Sequence, residues 1–273
     1  MIPFKKKYIL IILIIQLILS SKSIFSQVQL KEFSTVQTFK TNESRQGVAV
    51  DSDYFYTINT QSIGKYNKRT GEFVAEWKDT SNQIIHFDSG VIVDDLLYCA
   101  HSNYPGIPMT SSIEIFDKNR LVHIGSHSFG IKYGSCTWAD YYDNYWWVCF
   151  ANYDKFENLI HKNNYWTVLV KFDTNWKEVE SWTFPKQVLD EFKPMSCSGG
   201  SWGPDGNLSV TGHDSTKIYV LKLPQIGSVL ELAHTYSVDF PGQGIAWDKF
   251  EKDYLYGINK KENQVIKVKL ITR

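Results

Sequence analysis

The sequence predicts an all-β protein: a five-bladed β-propeller of four-stranded antiparallel blades. Three observations predict it. A short motif recurs five times, each copy opens the same succession of strand-like runs, and no helical periodicity competes with that pattern. The motif reads GVAVD (47–51), GVIVD (90–94), SCTWAD (135–140), GGSWGPD (199–205) and GIAWD (244–248). Each copy starts on a small residue, carries Val or Trp three residues later, and reaches an Asp soon after. The starts at Gly47, Gly90, Ser135, Gly199 and Gly244 lie 43, 45, 64 and 45 residues apart, and one propeller blade takes about 40–50 residues.

The elements follow in the same order in each repeat. The motif is the innermost strand. A second strand comes next: YFYTI, LLYCA, YWWVCF, NLSVT and DYLYGI. A third strand alternates with the period of two that a pleated ladder imposes: SIGKY, SIEIF, TVLVKF, KIYVLKL and QVIKVKL. In four repeats an outer strand completes the unit, as EFVAEW, LVHIGSHS, KEVESWTF and SVLELAHTYS. The fifth repeat runs to Arg273 without one, and VQLKEFSTVQTF (28–39) is the unused strand-like run that can close it. Closure by strands from both ends of the chain removes an exposed sheet edge. The long third interval reads as two insertions, around 151–166 and 185–196, rather than a sixth blade.

Residues 1–26 stand apart as a secretory signal peptide, leaving 27–273 as the single propeller domain. Lys5, Lys6 and Lys7 precede the apolar run YILIILIIQLIL (8–19), and Ser20, Ser21 and Ser23 follow. This is the order of a leader, and the run is shorter than the ~20 residues of a membrane span. The expected location is therefore secreted or periplasmic, with no span after cleavage. Lys plus Arg equals Asp plus Glu at 29 each, so no long-range field favours nucleic acid. The four cysteines, Cys99, Cys136, Cys149 and Cys197, show no CxxC spacing and read as buried thiols. The sequons at Asn42 and Asn207 matter only where a host glycosylates.

Ligand-bearing residues are expected where the second strands end and the inner strands begin, because those loops open on one face. The second strands end on Asn59, His101, Asn152, His213 and Asn259. Asn suits strand ends because its amide satisfies nearby backbone. His is no turn former and works as acid, base or metal ligand near neutral pH. His101 and His213 are thus the catalytic candidates, with Asn103, Tyr104 and Asp214 as polar neighbours. Arg45, Gln46, His86 with Asp88, Tyr133, Ser198 and Gln243 enter the first strands beside them. Arg45 is a candidate carboxylate clamp. His123, His127, His161 and His234 read as outer-strand or insertion residues. GGSWG fits GxSxG, but that elbow needs a strand-to-helix bend, and Pro204-Asp205-Gly206 reads as a hairpin turn, so Ser201 is not taken as a nucleophile. Imidazole and carboxylate suit a divalent metal, yet two scattered histidines do not make a site, and no cofactor is assigned.

The stretches GVAVDSDYFYTI, LLYCAHSNYPGIPMTSSIEIFD, GSHSFG, SGGSWGPDGNLSVTGHD and GQGIAWD together resemble a family of bacterial propeller proteins often labelled cycloisomerase-like. AHSNYPG and TGHDS are the most specific parts. More distantly, the architecture is similar to plant-type glutaminyl cyclases. The label derives from propeller muconate-lactonising enzymes, which use His and Arg near the channel; His101, His213 and Arg45 are the positions here that such a resemblance implies. The expected function is proton-transfer chemistry, such as lactonisation, lactone opening or elimination, at the channel mouth on a polar carboxylated or sugar-like substrate. The alternative is a non-catalytic propeller that binds a ligand or a protein partner.

Overall fold

The repeats fold as five four-stranded antiparallel sheets. The computed structural model describes residues 31–272; the leader read over 1–26 lies outside them. Strand β1 (Lys31–Lys40) comes first and pairs last. Blade 1 is β2 (Gly47–Val50), β3 (Tyr54–Asn59), β4 (Ser62–Asn67) and β5 (Phe73–Lys78). Blade 2 is β6 (His86–Val93), β7 (Leu96–Ser102), β8 (Ser111–Asp117) and β9 (Val122–Gly130). Blade 3 is β10 (Ser135–Tyr142), β11 (Tyr145–Ala151), β12 (Val168–Phe172) and β13 (Glu178–Thr183). Blade 4 is β14 (Gly199–Trp202), β15 (Leu208–Thr211), β16 (Lys217–Lys222) and β17 (Glu231–Ser237). Blade 5 is β18 (Ala246–Trp247), β19 (Tyr254–Asn259) and β20 (Gln264–Thr272), with β1 as its outer strand. The N-terminal segment therefore closes the last blade, as its strand character implies. The long third interval contains short helical turns at Asp154–Ile160 and Asn164–Trp166 and a two-turn helix at Lys186–Phe192, not a sixth sheet.

The core is divided among the wedges between blades. Each of the five interfaces has its own apolar cluster, for example Trp138, Trp147, Trp202 and Tyr219 between blades 3 and 4, and Phe39, Val48, Phe55 and Tyr256 between blades 5 and 1. Strand alternation explains this directly: one face of each pleated sheet packs on the preceding blade and the other on the following one. Lysine stems lie over the aromatic ring that starts the second strand in blades 1, 3 and 5. The Nζ-to-ring distances are 4.2 Å for Lys65 on Tyr54, and 3.9 Å for both Lys171 on Tyr145 and Lys267 on Tyr254.

The small residues that open the repeats keep the axis tight. A side-chain carbon on Gly199 would come within 2.3 Å of the Gln243 carbonyl oxygen, and one on Gly244 within 2.8 Å of the Gly47 Cα. The Gly244 N–H donates to the Gln46 carbonyl at 2.8 Å. Lower down, Val50, Val91, Ile92, Ala139 and Ile245 leave an axial void of about 10 Å³, the least that holds one water.

The recurrent Asp after each inner strand has a structural role. The Asp51 and Asp248 carboxylates each accept two backbone N–H groups of the next turn, the Asx-turn geometry that lets a strand reverse. Their second oxygens link blades: Lys68 meets Asp248 at 2.6 Å across the closure between blades 1 and 5, and Lys118 meets Asp51 at 3.7 Å between blades 2 and 1. Asp140 accepts from Ser201 Oγ and the Trp202 N–H, and Lys249 reaches it from blade 5 at 2.7 Å. Ser201, the centre of the GxSxG match, is thus an inner-strand strut.

Candidate functional site

On the upper face, where inner strands begin and second strands end, blades 2 and 3 are built differently from the others. In β6 the pairing runs from Phe87↔His101 directly to Gly90↔Cys99, so Asp88 and Ser89 together oppose Ala100. In β10 it runs from Cys136↔Phe150 to Trp138↔Cys149, leaving Thr137 as the extra residue. These are β-bulges, which bend a strand and redirect a side chain. Both leave a buried oxygen without a hydrogen-bond partner among the described residues, Asp88 Oδ2 and Thr137 Oγ1, and Asn152 Oδ1 at the end of β11 is a third. Buried polar atoms are nearly always paired, and of the nine that lack a hydrogen-bond partner among the described residues these three lie in adjoining strand ends.

Asp88 is 8 % exposed. Its other oxygen lies 3.4 Å from His86 Nε2. Burial disfavours the charged imidazole, but the Asp88 charge and hydrogen bond outweigh it and raise the His86 pKa above its usual value. The same carboxylate is felt by its neighbours: burial first, and Asp88 second, push the Tyr153 phenol and the Cys136 thiol up.

The two insertions and the loop after β7 roof this pair. Asn103 ties the loop by donating to the Pro108 carbonyl at 2.9 Å and accepting from the Thr110 N–H at 2.8 Å. Tyr104 is thereby set with its ring 5.2 Å from His86 and 5.1 Å from Tyr153. Lys155 donates to the Tyr104 hydroxyl. Met109, Ala151, Tyr153 and Phe156 form a small apolar cluster under Tyr104 and Met195. A cleft of about 130 Å³ opens beside it, lined by Pro108, Met109, Tyr133, Asn152 and Lys162.

The structure does not bring His101 and His213 together on one ligand position. His101 Nε2 accepts the Ile85 N–H at 3.0 Å, so Nδ1 carries the proton and meets Ser112 Oγ at 2.9 Å. Both ring nitrogens are committed, and burial lowers its pKa. His213 Nδ1 bonds its neighbour Asp214, which is also held by Lys260 at 2.9 Å. Arg45 lies beside Glu43 and donates to the Lys260 carbonyl. Asn59 accepts the Arg45 N–H and donates to Ser62, Asn259 accepts the Lys261 and Glu262 N–H groups, and Asn152 donates to two carbonyls. Gln46 donates to Thr60, and Gln243 to the His213 carbonyl. These groups mostly satisfy backbone, as strand-end amides do. His86 with Asp88, Asn103, Tyr104 and Asn152 are the anticipated residues that the fold gathers. The bulge that sets Asp88 in place has no sequence signal. Among the described residues no three His, Cys, Asp or Glu side chains converge to hold a metal, and Cys99, Cys136, Cys149 and Cys197 are buried and free.

One prediction arises from the His86 shift. A histidine whose folded pKa is raised contributes stability that is fully present below its unfolded pKa of about 6.5 and lost as pH rises through the folded value. The stability lost on replacing His86 by Gln is therefore expected to be largest near pH 6 and to shrink toward pH 8, as read from urea midpoints. A loss that grows with pH contradicts the assignment.

No protein-family profile and no curated protein sequence matches the chain. In structure it is similar to the Myxococcus xanthus glutaminyl cyclase, with a TM-score of 0.61 and 9 % identity over 89 % of this chain and 98 % of that one. It is also similar to the PQQ-bound aldose sugar dehydrogenase of Streptomyces coelicolor, with a TM-score of 0.57 and 8 % identity over 89 % and 99 %. At such identities the likeness shows the fold alone, and it places the chain in the class of the β-propellers. The cycloisomerase-like resemblance finds no counterpart among these comparisons.

Proposed function

We propose that the chain is an exported small-molecule enzyme whose site is the roofed quadrant over blades 2 and 3, with Asp88 as its central proton-transfer group. The observation that carries this reading is the buried Asp88 carboxylate, one oxygen on His86 and the other unpartnered at a bulge. A carboxylate and an imidazolium side by side can serve both halves of an addition or elimination. Asp88 accepts the proton of an attacking hydroxyl or water, and His86, in the protonated form that the Asp88 charge favours, returns one to the leaving oxygen. Lactone opening or lactonisation fits that division. Lys155, exposed above Tyr104, is the cation for a substrate carboxylate, a role that Arg45 leaves open by lying against Glu43. Export rests on the basic and apolar order of residues 5–19.

The test is calorimetric titration of the mature protein and its Asp88→Asn variant. The panel is lactones, sugar acids, an amino-terminal glutaminyl peptide and aldoses, the last two prompted by the activities named for the structural relatives. At least one compound is expected to bind, about tenfold or more weakly in the variant, the size of one lost charge-assisted contact. Equal affinity in both proteins for every lactone, sugar acid or peptide that binds contradicts the site. A second reading, a protein-docking module, is favoured by the exposed Ile107, Ile131, Leu159 and Trp166 on the same roof, which are 37 %, 64 %, 68 % and 58 % exposed.

A further inference from the structure

A groove of about 410 Å³ opens between the outer parts of blades 1 and 2. Trp77, Gln83 and Ile84 stand on one side and Glu114, His123 and Ser126 on the other. The volume falls within the roughly 300–1,000 Å³ typical of small-molecule sites. At its base lies a buried carboxylate, Glu114. Glu114 is 6 % exposed and stands on β8 beside Phe116, which belongs to the cluster between blades 1 and 2. Its Oε1 accepts from Ser112 Oγ at 2.6 Å and Ser126 Oγ at 2.9 Å, and its Oε2 meets His123 Nε2 at 2.8 Å. Ser112 is in turn the partner of His101. Four side chains on three strands are organised around one carboxylate.

The other blades show that this is not a feature of the repeat. Glu114 pairs with Cys99 on the second strand. The residues in the same register elsewhere are Gly64 opposite Thr57, Val170 opposite Val148, Tyr219 opposite Val210 and Ile266 opposite Gly257. An ionised carboxylate between blades is costly to bury, and an apolar residue serves the same position in two other blades. Blade 2 alone carries it, and the groove is where it emerges.

We infer that this groove is a binding site for a small neutral carbohydrate, with Trp77 as its apolar wall and the Glu114–His123–Ser126 cluster as its hydroxyl-recognising group. Neutrality follows from the donors already in place. Glu114 has three, and Asp79, also in the groove, accepts the Ser81 N–H, the Ser81 hydroxyl and the Ile84 N–H. An ammonium ligand meets carboxylates that are already satisfied, and an anionic ligand meets their charge, since Lys78, the cation in the groove lining, is paired with Glu76 at 3.0 Å. Thr80 and Gln83, with the oxygen lone pairs of Ser81 and Ser126 and the Nδ1 of His123, pair donors with acceptors as adjacent sugar hydroxyls require. Trp77 is braced edge-on against Phe116, with ring centres 4.8 Å apart, so its position is fixed before any ligand arrives.

The site uses none of the residues of the proposed enzymatic quadrant, so the two stand or fall separately. The test is a titration of the isotope-labelled mature protein with mono- and disaccharides. The signals followed are the Trp77 indole N–H, assigned through Trp77→Phe, and the His123 imidazole. At least one sugar is expected to shift both signals saturably, to bind about tenfold more weakly to Glu114→Gln, and to bind Asp88→Asn unchanged. Where Glu114→Gln does not fold, Ser126→Ala is the variant, with a severalfold loss expected. The inference is overturned if no sugar moves Trp77 and His123 together, or if simple amine or carboxylate salts do so and sugars do not.

Discussion

Lys68→Ala is expected to destabilise the protein by about 3–5 kcal/mol, the cost of removing one partner of a buried ion pair. The Lys68 side chain is 3 % exposed and that of Asp248 fully buried, with 2.6 Å between Nζ and Oδ2. Lys68 Nζ also donates to the Asp51 carbonyl at 3.0 Å. The variant leaves the Asp248 charge enclosed at the junction where blade 5, closed by the N-terminal strand, meets blade 1. Against a typical total stability of about 5–15 kcal/mol, the loss is large enough to read as a shift of the urea midpoint. The double replacement Lys68→Met/Asp248→Asn is expected to recover part of it, because no lone charge is then buried. Lys118→Ala, whose pair with Asp51 is longer at 3.7 Å and more exposed, is expected to cost about 1 kcal/mol, nearer a surface pair. If Lys68→Ala proves no more harmful than Lys118→Ala, the closing ion pair does not hold the ring.

Gly200→Ala is expected to cost about 3 kcal/mol, the upper part of the range for overpacking a core. A side-chain carbon at this inner-strand position would lie 2.3–2.7 Å from three ring atoms of Trp138. Trp138 cannot swing away. It is fully buried between blades 3 and 4, and its indole N–H donates to Cys197 Sγ at 3.3 Å. Trp138→Phe alone leaves a cavity and a lost hydrogen bond. Combined with Gly200→Ala it provides room for the new methyl group, so the two substitutions are expected to be less harmful together than their sum. Strict additivity in thermal or urea unfolding contradicts the contact.

Much of this architecture is legible in the residues. The recurrent motif, the alternating third strands and the strand-like run at 28–39 lead to five blades and to closure by β1, because backbone pairing and blade packing impose periods of two and of about 45 on the chain. The excess length in the third repeat reads as insertions at the right places, although the short helix at Lys186–Phe192 is too brief to show a helical period. The site is less legible. The convergence of second-strand ends on one face is readable, but which way each polar side chain turns depends on the neighbouring carbonyl or amide it finds. So Asn59 and Asn259 serve turns and His101 faces blade 1. The Asp88–Ser89 bulge changes register by a single residue, and nothing in HFDSG announces it. Glu114 sits inside SIEIF, where alternation alone assigns it to a face but not to a groove. His123 reads as an ordinary outer-strand residue until β8 and β9 are paired and it meets Glu114.

The measurement that bears most directly on the central claim is the rate of chemical conversion of whichever compound the calorimetric titration shows to bind at Asp88. It should be followed under saturating ligand for the wild type and for Asp88→Asn. The proposed acid–base pair predicts turnover by the wild type and a loss of about 100-fold or more in the variant, the usual weight of a positioned proton-transfer group. A ligand that binds the wild type tightly and emerges unchanged, with the variant no different in rate, contradicts the enzymatic reading and leaves a binding module on the same face.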